Sequence, residues 1–312
     1  MMMLNSIKKM AAKILFTPVD TSTRLREKLL GQKIQTRNHY YLMKMFRLLS
    51  KQYLIDFDYP NPLDPALRLK LKLDLCQNTQ QWLFRSGGSY EMAWIKKIGQ
   101  GLKTADAFVD IGAHVGVFAL TLAQAHPSKR VIAVEANTQN YDRLVDNIGA
   151  NGLQNVKAVQ GAVALQKGKA RFYFNPINDG GGSLLPFEKY KTGGISLDAK
   201  TYQTQNANFI PSDEVFTYRL DDLITEKSVV KIDVEGSEME VLTSGEGSFS
   251  RGWVQMVVIE VGNEITPEVL AWFDKKDFDC FTLENPKPIQ QDGDWGSKIG
   301  YGGRMLIASP RR

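Results

Sequence analysis

Phe108-Val109-Asp110-Ile111-Gly112-Ala113-His114-Val115-Gly116, residues 108–116, decides how the rest of the chain is read. An apolar run, a glycine turn and a second apolar run follow without interruption, the pattern of a strand, a tight turn and the start of a helix. Gly112 lets the backbone come close to a ligand, and Gly116 lets the helix pack against the strand. The spacing is D-x-G-x-x-x-G, whereas the dinucleotide fingerprint is G-x-G-x-x-G and holds a pyrophosphate at the helix start.

Outward from that block, strands are predicted at 107–111, 131–135, 156–160, 229–234, 254–261, 278–283 and 304–308, with helices at 117–125, 141–150, 237–242 and 267–275. Strands alternating with helices imply a parallel sheet covered on both faces, and the nearly continuous apolar runs in the strands agree with two-sided burial. The expected fold is therefore a doubly wound α/β sheet, mostly parallel, with an antiparallel last strand reached by a short loop. Residues 175–212, which carry Gly180 to Gly182, Gly193 and Gly194, read as a lid-like insertion.

The chemistry of the turn narrows the ligand. A carboxylate at Asp110 repels phosphate but suits a ligand with an ammonium group and a neighbouring sulfonium, which is what S-adenosylmethionine presents. Glu135 ends the second strand, nineteen residues past Gly116, where a carboxylate can accept bonds from both ribose hydroxyls. Alone it identifies only an adenosine. Gly161 and Ala162, after the third strand, leave room for an adenine ring. Taken singly, Asp110 also reads as a helix cap and Glu135 as an exposed strand end.

At the fourth strand, Val229-Val230-Lys231-Ile232-Asp233-Val234-Glu235-Gly236-Ser237-Glu238 brings three carboxylates and a lysine to the sheet edge that faces the ligand crevice. Strand periodicity sends Lys231, Asp233 and Glu235 to one side. A carboxylate within reach of a hydroxyl can take its proton as a methyl group arrives, so Asp233 and Glu235 are candidate bases. Two adjacent carboxylates raise one another's pKa, and Lys231 can cancel the effect. The competing account is structural: Glu235 and Glu238 favour a helix N-terminus while Asp233 bonds backbone amides. His114, in the cofactor turn and titrating near neutral pH, is a second candidate base, or a contact to the cofactor's carboxylate, or a space filler. Asp233, Glu235 and Glu260 have the oxygen ligands that a hard metal takes, but no ligand spacing demands one and no metal site is assigned.

The remaining composition bounds the protein. Its 312 residues are 43% hydrophobic and 23% charged, enough for one main domain with an N-terminal elaboration. Cys76 and Cys280 lie in no metal or redox spacing and read as buried thiols. Three histidines, His39, His114 and His126, are too few for a histidine-rich metal site. Residues 1–50 read as a basic, mainly helical arm and 51–100 as a small β/α elaboration. Within the latter, Leu67, Leu69, Leu71, Leu73 and Leu75 alternate with charged residues as a half-buried strand partnered by 53–57. A helix is expected at 90–98, stopped by Gly99 and Gly101; residues 101–312 form the main domain. Residues 1–55 hold eleven Lys and Arg against Asp20 and Glu27. This excess is read as a solvated helical face or a weak peripheral membrane contact. No apolar run reaches the roughly 18 residues of a membrane span, and no signal-peptide pattern is present, so a cytoplasmic location is expected.

Together these blocks resemble the FkbM family of methyltransferases. The matching stretches are FVDIGAHVGVFAL (108–120), VIAVEAN (131–137), VKAVQGAVA (156–164), YRLDDL (218–223), KIDVEGSEMEVLTSG (231–245) and VVIEV (257–261), with Tyr90-Glu91 similar to a short motif before the first strand. The resemblance spans about residues 80–285. It implies a class I methyltransferase fold, S-adenosylmethionine as donor, and O-methylation of a sugar, glycan or related small-molecule hydroxyl. By the same resemblance Asp110, Gly112, Ala113, Gly116, Glu135, Asn137 and Ala162 contact the cofactor, and Glu91 closes over it; Ala136 and Gly161, their chain neighbours, are assigned to the same site. Asp233 and Glu235 then fall in the acceptor region. His114 departs from the family, which more often has Asn there. A nucleic-acid methyltransferase using the basic arm is a rival, disfavoured by the missing N/D-P-P-[YFW] stretch and by acidic groups that repel a phosphate backbone. A non-catalytic cofactor-binding module is another. The glycine spacing disfavours a nicotinamide oxidoreductase.

Overall fold

Alternation of leucine with charged residues buries one face of a strand and leaves the other wet. In the computed structural model, which describes residues 52–87, 89, 91–174, 178–185, 210–262, 266–285, 287–289 and 304–311, β1 (Leu54–Pro60) and β2 (Arg68–Asp74) form an antiparallel hairpin. Leu69, Leu71 and Leu73 are fully buried. The expected arm at 1–50 lies outside the described residues. A helix not foreseen from sequence follows, α1 (Asn78–Arg85). Its buried face carries Gln80 and Gln81 beside Leu83, so a hydrophobicity pattern does not expose it. Gln80 Oε1 instead accepts the Asp74 N–H at 2.7 Å, and Gln81 donates to the Leu75 carbonyl.

The next helix, α2 (Met92–Gly101), does not stop at Gly99 as expected. A Cβ on Gly99 would lie 2.9 Å from Leu63, and one on Gly101 3.0 Å from Met256, so these glycines permit close packing within the helix.

The main sheet begins with β3 (Ala107–Ile111), buried throughout, followed by α3 (Val117–Ala125), β4 (Arg130–Glu135), α4 (Thr138–Ala150) and β5 (Val156–Gln160). Three strands then make a small separate sheet, β6 (Ala162–Val163), β7 (Gly168–Phe174) and β8 (Ile210–Tyr218), in the order β6-β8-β7. Of the expected insertion at 175–212, residues 178–185 pack against the main domain, β8 begins at Ile210, and 175–177 and 186–209 lie outside the described residues. The chain returns through α5 (Leu220–Leu223), β9 (Ser228–Ile232), α6 (Glu238–Ser244), α7 (Glu246–Ser250), β10 (Val254–Val261), α8 (Thr266–Lys275), β11 (Phe278–Phe281) and β12 (Arg304–Pro310).

The seven main strands run β11-β12-β10-β9-β3-β4-β5, and β12 alone runs opposite to the other six. A connection of 22 residues, not a short loop, precedes β12. Successive strand residues feed opposite faces: Phe108 and Val229 join one apolar cluster with α3 and the β1–β2 hairpin, while Val109 and Val230 join the other with α6 and α8. The order reverses between β3 and β9, the place where an open α/β sheet leaves a crevice at its carboxyl edge. No helix of the described residues is long and apolar enough to cross a membrane.

Candidate functional site

At that edge β3 ends and the chain turns on Gly112 with φ +78°; a Cβ there would sit on the Asp233 carbonyl oxygen. The turn is stitched to both neighbours, since Gly112 and Ala113 donate to the Val134 carbonyl at 3.0 and 2.9 Å and Asp233 donates to the Ile111 carbonyl at 3.1 Å. Gly116 has φ +95° and leaves no space for a Cβ, which would come 2.6 Å from Leu144. Between the glycines His114 takes the left-handed conformation, φ 53°, and donates its backbone N–H to Glu135 Oε2 at 2.8 Å. Glu135 Oε1 accepts the Asn137 N–H at 2.8 Å, so two amides fix this buried carboxylate. Glu91 and Glu235 are also left-handed, φ 51° and 55°. Strained non-glycine backbone at three residues around one cavity is the kind of feature that collects at functional sites.

The cavity measures about 280 Å³. Of the residues read from sequence, it is lined by Glu91, Gly112, Ala113, His114, Glu135, Ala136, Gly161, Ala162, Asp233 and Glu235. Three others stand behind its wall. Asp110 is buried with its carboxylate 3.5 Å from Lys231 Nζ, Gly116 packs α3 against α4, and Asn137 caps α4 by accepting the Gln139 and Asn140 N–H groups. Asp110 and Gly116 support the turn, and Asn137 the start of α4. Tyr90 lies outside the described residues.

The expected strand at 229–234 ends at Ile232. Asp233 and Glu235 thus reach the cavity from a turn, made by Glu235 and by Gly236 at φ 105°, rather than by strand alternation. Lys231 crosses from β9 to hold this region together. Its ammonium donates to Asp233 Oδ2 at 3.1 Å and to the Gly112 carbonyl at 3.2 Å, and lies 5.1 Å above the Phe118 ring. Burial opposes its charge, but Asp233 and Asp110 outweigh burial and hold it well above the ordinary lysine range. Glu260 on β10 is pushed up to about 9, first by Asp233 and then by burial, Glu235 and Glu91. Like-charge crowding therefore falls mainly on a residue that sequence reading considered only as a metal ligand. Among the described residues no three His, Cys, Asp or Glu side chains are disposed to hold a metal ion.

Sequence reading gave 175–212 as a lid-like insertion but singled out neither Asp179 nor Ser183 in the segment 178–185, which reaches the cavity. Asp179 Oδ2 meets His114 Nε2 at 2.5 Å, and the same carboxylate accepts the Thr79 N–H at 3.2 Å and Gln80 Nε2 at 2.7 Å. At the other end Ser183 Oγ donates to the Glu235 carbonyl at 2.8 Å. The glycines at 180–182 marked this stretch as special; nothing in the sequence paired Asp179 with a histidine 65 positions away. Ser237, also unforeseen, lines the cavity, and its buried Oγ has no hydrogen-bond partner among the described residues.

These features fit a donor with a ribose, an adenine and a sulfonium. The glycine turn lets a ligand lie against backbone, Glu135 offers a fixed carboxylate, and the carboxylates around it favour a cation.

Residues 110–280, more than half of the chain, match the family model described as Methyltransferase FkbM domain. The chain is similar to Methyltransferase sdnD of Sordaria araneosa, 29% identical over 191 residues, covering 55% of this chain and 73% of the relative. It is similar to Methyltransferase 1 of Beauveria bassiana (strain ARSEF 2860), 25% identical over 166 residues, covering 50% of this chain and 65% of the relative. Among solved structures, that of M. jannaschii TYW2 in complex with AdoMet is similar with a TM-score of 0.36 at 13% identity, covering 77% of this chain and 81% of that one.

Proposed function

Since the chain belongs to the FkbM methyltransferase family and its methyl donor is S-adenosylmethionine, we infer that it methylates a hydroxyl oxygen on a sugar, glycan or related small molecule, with Asp233 as the base. The observation that carries this reading is the state of Asp233. Its side chain stays 26% exposed at the cavity edge while the buried Lys231 grips Oδ2 at 3.1 Å. A carboxylate oriented by a buried lysine that still meets the cavity is what removal of a hydroxyl proton requires.

The bound donor supplies an electrophilic methyl carbon on a positively charged sulfur. Around it the chain's residues have separate tasks. Glu135, fixed by two amides, presents oxygens to the ribose hydroxyls. Asp233 accepts the acceptor's proton as the carbon–oxygen bond forms and the methyl carbon–sulfur bond breaks, with S-adenosylhomocysteine as the leaving group. Glu235, set in place by its turn, orients the acceptor. Glu260, pushed up to about 9 first by Asp233, lines the cavity where a further charge is opposed. The same carboxylates disfavour a nucleic-acid backbone at this edge.

The test is to follow S-adenosylhomocysteine release by purified protein given S-adenosylmethionine and pooled sugars and glycans. Asp233→Asn is expected to keep donor affinity and lose activity by about 10²-fold or more. Full turnover by this variant, or turnover with nucleic acid alone, removes the reading; donor binding without any turnover identifies a non-catalytic module.

A further inference from the structure

We propose that the methyl acceptor carries an ammonium group near the hydroxyl that is methylated, as an amino sugar does, and that Glu235 and Glu260 receive it. The inference rests on the chain methylating a hydroxyl oxygen from S-adenosylmethionine, and deepens that reading by naming the class of acceptor. Among the described residues that line the cavity, six carry carboxylates, Glu91, Glu135, Asp179, Asp233, Glu235 and Glu260, against the two basic residues His114 and Lys231. His114 meets Asp179 and Lys231 meets Asp233, while Lys231 also answers the buried Asp110 behind the wall. The donor brings a sulfonium, an ammonium and a carboxylate, a single net positive charge, so the cavity stays acidic when the donor is bound. Methyl transfer then removes the sulfonium charge. Enclosed carboxylates are costly without a counter-charge, and an acceptor with its own cation supplies one throughout the reaction.

Separate elements bring the acidic groups to one place. Glu91 precedes α2, Asp233 and Glu235 follow β9, and Glu260 stands near the end of β10. That they share one space is read from Glu260, whose carboxyl is pushed up to about 9 first by Asp233, then by burial, Glu235 and Glu91. Among the described residues these carboxylates are not disposed to surround a metal ion, so the complement is a larger cation with hydrogens to donate, which an alkylammonium is. A separate observation points to a polar ligand. Ser237 lines the same cavity, is only 4% exposed, and its Oγ has no hydrogen-bond partner among the described residues. A buried hydroxyl left unmatched is costly, and the polar groups of such an acceptor match it. Asp233 already pairs with Lys231 at 3.1 Å, which leaves the incoming ammonium to Glu235 and Glu260. The bonds made and broken are those of the hydroxyl methylation; the ammonium is recognised and gains no methyl group.

The test compares acceptors that differ in the cation. A pool of amino sugars, free and in glycans, is given to purified protein with S-adenosylmethionine, alongside the same pool after N-acetylation and the parent sugars that have a hydroxyl in place of the amine. N-acetylation removes the charge and leaves every hydroxyl, and the parent sugars control for the bulk of the acetyl group. S-adenosylhomocysteine release is followed at low acceptor concentration, and mass spectrometry locates the methyl group. The expected result is a methyl group on oxygen and a rate with the amines about tenfold or more above that with either neutral set, the size of a charge-assisted hydrogen bond. Glu235→Gln and Glu260→Gln are each expected to shrink that preference several-fold, with retained S-adenosylhomocysteine binding by calorimetry showing that the variant is folded. The wild-type comparison decides by itself if a variant does not fold. The proposal is overturned if the neutral sets react as fast as the amines, if the methyl group is found on nitrogen, or if both folded variants keep the wild-type preference. If neutral sugars are methylated and amines are not, only the proposal fails; if no sugar or glycan in any form is methylated, the O-methylation reading fails and the proposal with it.

Discussion

Lys231 and Asp110 are nearly inaccessible to solvent, come from adjacent strands and face each other at 3.5 Å. Neither is tolerable alone, because a buried charge without its partner keeps the desolvation penalty and loses the compensating attraction. Lys231→Met is therefore expected to destabilise the fold by about 3 to 5 kcal/mol, since Asp110 must then take up a proton or remain uncompensated. Lys231→Met combined with Asp110→Asn should recover much of that loss. Urea unfolding of the two single variants and the double variant measures the coupling; a double variant no more stable than Lys231→Met would show that the pair does not act as a unit. The sequence shows Lys231 beside Asp233, but Asp110 lies 121 positions earlier, and their meeting depends on β3 and β9 pairing in parallel register.

At the scale of elements, the β1–β2 hairpin has an edge whose backbone donors need partners. Two asparagines meet them: Asn147 on α4 accepts the Lys72 N–H at 2.7 Å, and Asn151 just past that helix accepts the Lys70 N–H at 2.8 Å. Asn147 also donates to the Val115 carbonyl at 3.0 Å, so it joins the hairpin, α4 and the cofactor turn. Asn147→Ala leaves a part-buried donor and a buried acceptor unmatched and should cost about 1 to 3 kcal/mol. Hydrogen exchange at Lys72 and Val117 checks it, with faster exchange in the hairpin expected first; unchanged protection at Lys72 would contradict the latch. The main strands and helices were legible because apolar runs and glycine punctuation are local signals. The α1 helix and the three-strand sheet were not. Gln80 and Gln81 are buried through hydrogen bonds rather than hydrophobicity, and β6 to β8 assemble only when residues on either side of the insertion come together. Within the site, the glycine turn and the acidic motif were readable, whereas Asp179 and the crowding at Glu260 depend on long-range packing.

Taken over the whole molecule, the acidic site is a cost of folding that pH can measure. Its carboxylates arrive from separate places, Glu91 ahead of α2, Asp233 and Glu235 after β9, and Glu260 on β10. Unfolding disperses them. The folded state raises Glu260 from 4.5 to about 9, chiefly through Asp233, so between those values the folded chain binds a proton that the unfolded chain has released. Stability from this group is complete below about 4.5 and is lost as pH rises toward about 9. Glu260→Gln keeps the size and hydrogen-bonding capacity of the neutral acid without the titration. Thermal melts at a series of pH values should therefore show wild type declining across that window and the variant declining less. The Tm difference should favour Glu260→Gln increasingly at the alkaline end. Parallel decline of the two proteins would mean that Glu260 does not carry the extra proton, and that the negative charge around Asp233 is offset by some other group.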